Sequence, residues 1–175
     1  FSSTTTTGTS ITNSGSTGTL GAGTEIVSVC ILVDHTFIND LDVILIAPNG
    51  ATMDLVFTDL FFGDPSGQDY GDVAGGVEVC FTPSATNSIL NYVGPQTGDW
   101  QPSDPFSTFD GINPNGNWTI EFVDYFSGDT GDLLSWSIEF SNGDCASVCI
   151  VNNDDCNAPT IVSLTAGVQT CVPGC

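Results

Sequence analysis

Apolar side chains recur at every second position in several short stretches of this chain. In Glu25–Asp34, Val27, Val29, Ile31 and Val33 share one parity. Leu41–Ala47 is a second such stretch, ended by the turn Pro48-Asn49-Gly50, and Thr52–Phe57 follows as its hairpin partner. Val77–Phe81 is another, Trp118, Ile120 and Phe122 alternate, and so do Leu134, Trp136, Ile138 and Phe140. A period of two predicts strands that bury one face. Glycine and proline clusters separate these strands, and no stretch carries a convincing helical period. Many short strands with frequent turns predict an all-β protein, a jelly-roll β-sandwich in class.

The pattern divides the chain into three. Residues 1–24 form a Ser/Thr/Gly-rich arm: between Ser2 and Thr19, 13 of 18 residues are serine or threonine. Threonine favours extended backbone, so this arm is expected either to pair with a sheet edge, of a neighbour or of its own domain, or to be a mere linker that packs on its own domain. Its hydroxyls are candidate sites for O-linked glycans. Residues 25–143 hold the sandwich. Residues 144–175 form a cysteine-rich extension with Cys145, Cys149, Cys156, Cys171 and Cys175, and with one further predicted strand, Thr160–Thr165.

Charge changes the picture most. The 175 residues include no lysine and no arginine, 21 acids and a single histidine, for a net charge of −21. No cationic side chain exists to hold a nucleic-acid backbone, and an anionic membrane surface would repel the chain. A P-loop lysine, a Schiff-base lysine and an arginine clamp are all absent. No apolar run of about 18 residues is present to span a bilayer. The aromatic content sets the chain apart from a disordered acidic tail. Unbalanced negative charge works against a compact state. The expected remedy is bound calcium held by aspartate-rich loops, with a salty medium as the bland alternative.

Seven cysteines indicate an oxidising compartment, and an odd number leaves at least one thiol free or paired with another chain. Cys30 and Cys80 both fall in predicted core strands and are one candidate pair, although the spacings leave connectivity open. The chain begins at Phe1, and a secreted or cell-surface protein whose signal peptide has been removed is the expectation.

From Val33 to Phe140 the chain resembles the P domain (homo B domain) of the subtilisin-like proprotein convertases and of many secreted bacterial proteins. The residues that carry the likeness are His35-Thr-Phe-Ile-Asn-Asp-Leu-Asp42, Leu45-Ile-Ala-Pro-Asn-Gly50, Phe109-Asp-Gly111, Pro114-Asn-Gly-Asn-Trp118, Gly128-Asp-Thr-Gly-Asp-Leu133 and Trp136. The resemblance implies a jelly-roll sandwich, often calcium-binding, with no catalytic residues of its own, and it makes His35 a loop-bracing residue. Residues 1–24 and 144–175 lie outside it.

The candidate metal site follows from the acids. Asp40 and Asp42 share parity along one strand. If that face meets the loop Asp124–Asp132, several carboxylates converge and raise one another's pKa unless a cation intervenes. The expected calcium ligands are Asp34, Asp40, Asp42, Asp124, Asp129 and Asp132, against the alternative that each is a solvated loop acid. Gly63–Asp72 is a second acidic stretch, read as a hairpin loop, and Asp99–Asp104 is similar.

Three further motifs point away from catalysis. Asp129-Thr-Gly131 is also an aspartic-protease signature, but that chemistry needs two copies and the chain has one. His35 has no Gly-x-Ser-x-Gly partner motif. Glu25, Glu78, Glu121 and Glu139 lie in strands, on the faces opposite Trp118 and Trp136. Tyr70, Tyr92 and Tyr125 are candidates for carbohydrate contact, and Asn117-Trp-Thr119 is a glycosylation sequon set in a core strand. The expected function is a non-catalytic extracellular subunit of a fibre or surface layer, made of identical copies joined head-to-tail through the arm. The alternatives are an accessory P domain of a secreted subtilisin-like protease or other multidomain enzyme, and an adhesive carbohydrate-binding module.

Overall fold

The computed structural model describes residues 6–36, 41–57, 75–92, 96–125, 130–142 and 145–149. Among these residues eleven strands run in chain order: β1 (Thr6–Asn13), β2 (Thr19–Leu20), β3 (Gly23–Thr24), β4 (Ile26–His35), β5 (Leu41–Ile46), β6 (Thr52–Val56), β7 (Val77–Phe81), β8 (Gly98–Trp100), β9 (Gly116–Asp124), β10 (Gly131–Phe140) and β11 (Cys145–Cys149). They build two principal sheets, ordered β1-β9-β5-β6 and β11-β10-β4-β7-β8. The chain passes between the sheets repeatedly, and sequence-distant strands become neighbours. The all-β sandwich expected from the alternating pattern is the observed architecture.

The inward faces are the apolar parities. Val29, Ile31 and Val33 of β4 face Trp118, Ile120 and Phe122 of β9 and Leu41, Val43 and Leu45 of β5 in one core. Trp118 is fully buried, edge-on to Phe109 at 5.4 Å and tilted against Phe140 at 5.8 Å. Its indole N–H donates to the Pro114 carbonyl at 2.8 Å, which satisfies the polar atom that so large a buried ring carries. In β10 the structure departs from strict alternation. An irregularity in the β4 pairing between Leu133 and Ser135 shifts the parity, so Leu133 is buried with Trp136 and Leu134 is only half-buried.

The turn after β5 forms as its residues predict. Gly50 takes a φ of 87°, and the Ala47 amide donates to the Ala51 carbonyl at 2.8 Å. Cys30 and Cys80 are register partners on β4 and β7 and form a disulfide across the outer face of the five-stranded sheet. Among the described residues no helix is long and apolar enough to cross a membrane. The predicted strand Thr160–Thr165 lies outside the described residues.

Residues from the predicted arm are part of the sandwich. β1 adds antiparallel to β9 over eight register pairs, from Thr6 opposite Val123 to Asn13 opposite Gly116. On the far side, the segment after β8 lies along β6: the Ser103 amide donates to the Leu55 carbonyl and the Asp104 amide to the Asp54 carbonyl. That segment covers the open edge of β6, a backbone row that would otherwise invite foreign strands.

Candidate functional site

The four described carboxylates of the expected calcium set do not share one site. Asp34 and Asp132 are register partners on β4 and β10, on the parity that faces away from the core. Asp124 ends the inward row of β9 and is fully buried between the sheets. Asp42 pairs with Val123 on the opposite face of the four-stranded sheet from Asp124. The sequence parity that put Asp40 and Asp42 on one side therefore points Asp42 away from Asp124. Asp40 and Asp129 lie outside the described residues. Among the described residues no group of three acids, histidines or cysteines is placed to hold a metal. Asp34 and Asp132 have oxygen donors suited to a hard cation, but two facing carboxylates are fewer than calcium takes. As one cage the described set does not fit the ion.

His35 instead braces one end of the sandwich. Its ring is fully buried, and Nε2 lies 3.6 Å from Asp124 Oδ2, so the last inward positions of β4 and β9 meet across the layers. Thr130 and Gly131 close the same corner. The Thr36 amide donates to the Thr130 carbonyl at 3.1 Å, and the Thr130 amide donates to Thr36 Oγ1 at 3.0 Å. Gly131 sits opposite His35, where a Cβ would collide with the Asp34 carbonyl and the His35 ring. These residues are buried or bound up in loop geometry, which is the chemistry of a brace.

A second acidic group was not legible in the sequence. Tyr125, 39% exposed, donates its hydroxyl to Asp42 Oδ2 at 3.0 Å. Asp54 of β6 lies near Asp42 and Asp104, and its own amide donates to Asp104 Oδ2 at 3.0 Å. Burial, then the charges of Asp104 and Asp42, hold the Asp54 carboxyl above the ordinary aspartate range. Burial, then the hydrogen bond to Asp42 and the charges of Asp42 and Asp54, push the Tyr125 phenol up. Asp54 and Asp104 are fifty positions apart, and no local pattern announces that the chain returns to lie along β6.

The feature with the most obvious capacity for a partner is the β1–β9 ladder. Ile11 is the buried apolar anchor of β1. The rest of the contact is main-chain pairing plus hydroxyl and amide bonds: Ser10 Oγ with Thr119 Oγ1 at 2.6 Å, and Thr12 Oγ1 to Asn117 Oδ1 at 2.7 Å. The sequon residue Asn117 is thus engaged by β1. Just beyond the strand, Asn115 accepts from the Gly15 and Ser16 amides and donates to the Ser16 carbonyl, tying the chain to the turn before β9.

No family model matches the chain. It is 25% identical over 120 residues, 69% of its length, to a protein described as a transglutaminase-activating metalloprotease from Streptomyces mobaraensis. The matched region is 11% of that protein, so the chain spans about a tenth of the relative's length.

Proposed function

We propose that this protein is a non-catalytic extracellular structural subunit that joins identical copies head-to-tail through its N-terminal segment into a fibre or surface assembly. The supporting observation is β1. It is an edge strand supplied by one end of the chain, held to β9 mainly by backbone ladder bonds and one apolar anchor. The same strand from a neighbouring copy would satisfy β9 equally well. A contact between a strand at one end and an acceptor edge elsewhere is heterologous, and such contacts propagate as filaments. Electron microscopy and gel filtration of native material test this. Filaments that shorten when Ile11→Asp chains are mixed in are the expected result; monodisperse monomers at all concentrations overturn it.

Calcium belongs to this reading only as a counter-ion between acidic copies packed side by side in a chain of net charge −21. Excess EDTA then lowers the melting midpoint and loosens the assembly, and an unchanged midpoint removes the metal from the proposal.

A second reading has its own support. The likeness to one small part of a much larger metalloprotease favours an accessory domain, P-domain-like, of a secreted multidomain enzyme. A protease domain encoded in the same reading frame would establish it.

A further inference from the structure

β1 ends in a buried polar terminus that ladder bonds do not account for. Asn13 is 3% exposed and Ser16 is 7% exposed. The Asn13 side-chain amide donates to the Pro114 carbonyl and to Ser16 Oγ, both at 2.9 Å. The Pro114 carbonyl also accepts from the Trp118 indole at 2.8 Å, so Asn13 and Trp118 together fill its two lone pairs. Asn115 completes the contact. Its Oδ1 accepts from the Gly15 and Ser16 amides at 2.8 and 3.0 Å, and its Nδ2 donates to the Ser16 carbonyl at 2.8 Å. Asn113 Oδ1 accepts from the Asn115 amide and from Asn115 Nδ2, both at 3.0 Å, which fixes that side chain in place. Gly15 holds a φ of 116°, a conformation that a side chain would resist.

Main-chain pairing accepts almost any extended segment, and a pocket filled by Ile11 takes other aliphatic side chains of similar size. Neither tells one strand from another. A buried polar contact does, because a segment without the matching groups leaves the buried Pro114 carbonyl short of a partner and Asn115 unmatched. A slip of two residues along β9 keeps the inward parity but parts Asn13 from Pro114, so the same contact sets register. Across the 175 residues, Asn-x-Gly-Ser occurs once, at Asn13–Ser16, and a second copy of the chain carries the same segment. Charge suits that approach as well. All 21 acids lie from Glu25 onward, so residues 6–16 come to an acidic copy without a charge of their own.

We propose that the β9 edge and the turn Asn113–Asn115 form a strand-accepting surface for residues 6–16 of a second copy, and that Asn13, Gly15 and Ser16, rather than Ile11, set its specificity. This rests on the reading that β1 passes between copies, and adds what selects the incoming strand. Ile11 supplies affinity; the Asn13–Ser16 end supplies identity and register.

The experiment titrates the full chain carrying Ile11→Asp, whose own strand is weakened, into fluorescein-labelled synthetic peptides of residues 6–16 and reads binding by anisotropy. The wild-type peptide binds. An Ile11→Val peptide binds about 2–10-fold more weakly, and an Asn13→Leu peptide about 10–100-fold more weakly. Near-ultraviolet circular dichroism shows whether the Ile11→Asp chain is folded. If it is not, amide exchange in the full chain carries the test: Asn13→Leu accelerates exchange in β1 more than Ile11→Val does. An Asn13→Leu peptide within about threefold of wild type, no binding of the wild-type peptide to the folded chain, or the reverse order in amide exchange overturns the proposal. The filament reading fails separately: wild type that stays monomeric by microscopy, while the peptides keep their order, removes the polymer but not the strand selectivity.

Discussion

Replacing Cys30 and Cys80 together by serine removes a bridge that closes a loop of sequence separation 50. In the folded protein little else changes. The two residues stay opposite each other in a ladder that runs from Val29–Phe81 to Val33–Val77, and they lie on the outer face, away from the apolar core. The effect falls on the unfolded chain. Chain-entropy arithmetic for a 50-residue loop gives about 14 cal/mol/K, or about 4 kcal/mol at 25 °C. For a chain of this size each kcal/mol moves the midpoint by about 2–4 °C, so melting should fall by roughly 8–16 °C. Denaturant unfolding adds a second signature: the m value should rise, because the unfolded chain without the bridge exposes more surface. Thermal melts followed by circular dichroism and guanidinium titrations of the variant against wild type measure both. A midpoint within about 2 °C of wild type and an unchanged m value would refute the reasoning, because the bridge would then not be limiting the unfolded ensemble.

Asp54→Asn should stabilise the protein at pH 7 by about 0.5 kcal/mol at low ionic strength, with the gain shrinking in salt. The sign follows from its raised carboxyl pKa. Stability from the protonated form is complete below the ordinary aspartate value of 3.8 and is lost as pH rises through the raised folded value. The variant should lack that loss, as urea midpoints across acidic pH would show. Ile11→Ala removes the buried anchor of β1 and should cost about 2–3 kcal/mol, with amide exchange in β1 rising more than in β5 or β9. Equal acceleration in all three strands would mean that β1 cannot detach alone. Gly131→Ala puts a methyl into the Asp34 carbonyl and the His35 ring and should cost about 1–3 kcal/mol in urea unfolding. No loss there would mean that the corner built on His35 is looser than its packing implies.

Much of the sandwich is legible in the amino-acid order because strand burial has a period of two. Val29, Ile31 and Val33, or Trp118, Ile120 and Phe122, announce a strand and its buried face through neighbours one or two positions away, and the turn at Asn49-Gly50 does the same through backbone preference. Composition alone also shows that no lysine or arginine side chain is available to hold an anionic group. What local pattern cannot carry is which strands become neighbours. The threonines of Thr6–Asn13 announce extended backbone that can pair with a sheet edge, but not which edge; that is decided by β9, more than a hundred residues later, which offers a ladder and a place for Ile11. The expected calcium aspartates share an acidic composition, but strand parity and sheet membership send Asp34 and Asp132 to one outer face, Asp42 to the other and Asp124 into the interior beside His35. Asp54 and Asp104 come together because the chain crosses from one sheet to the other. Those placements arise from long-range pairing, whose free energy is gained only when distant segments have met, so nothing in the residues flanking any one of them records it.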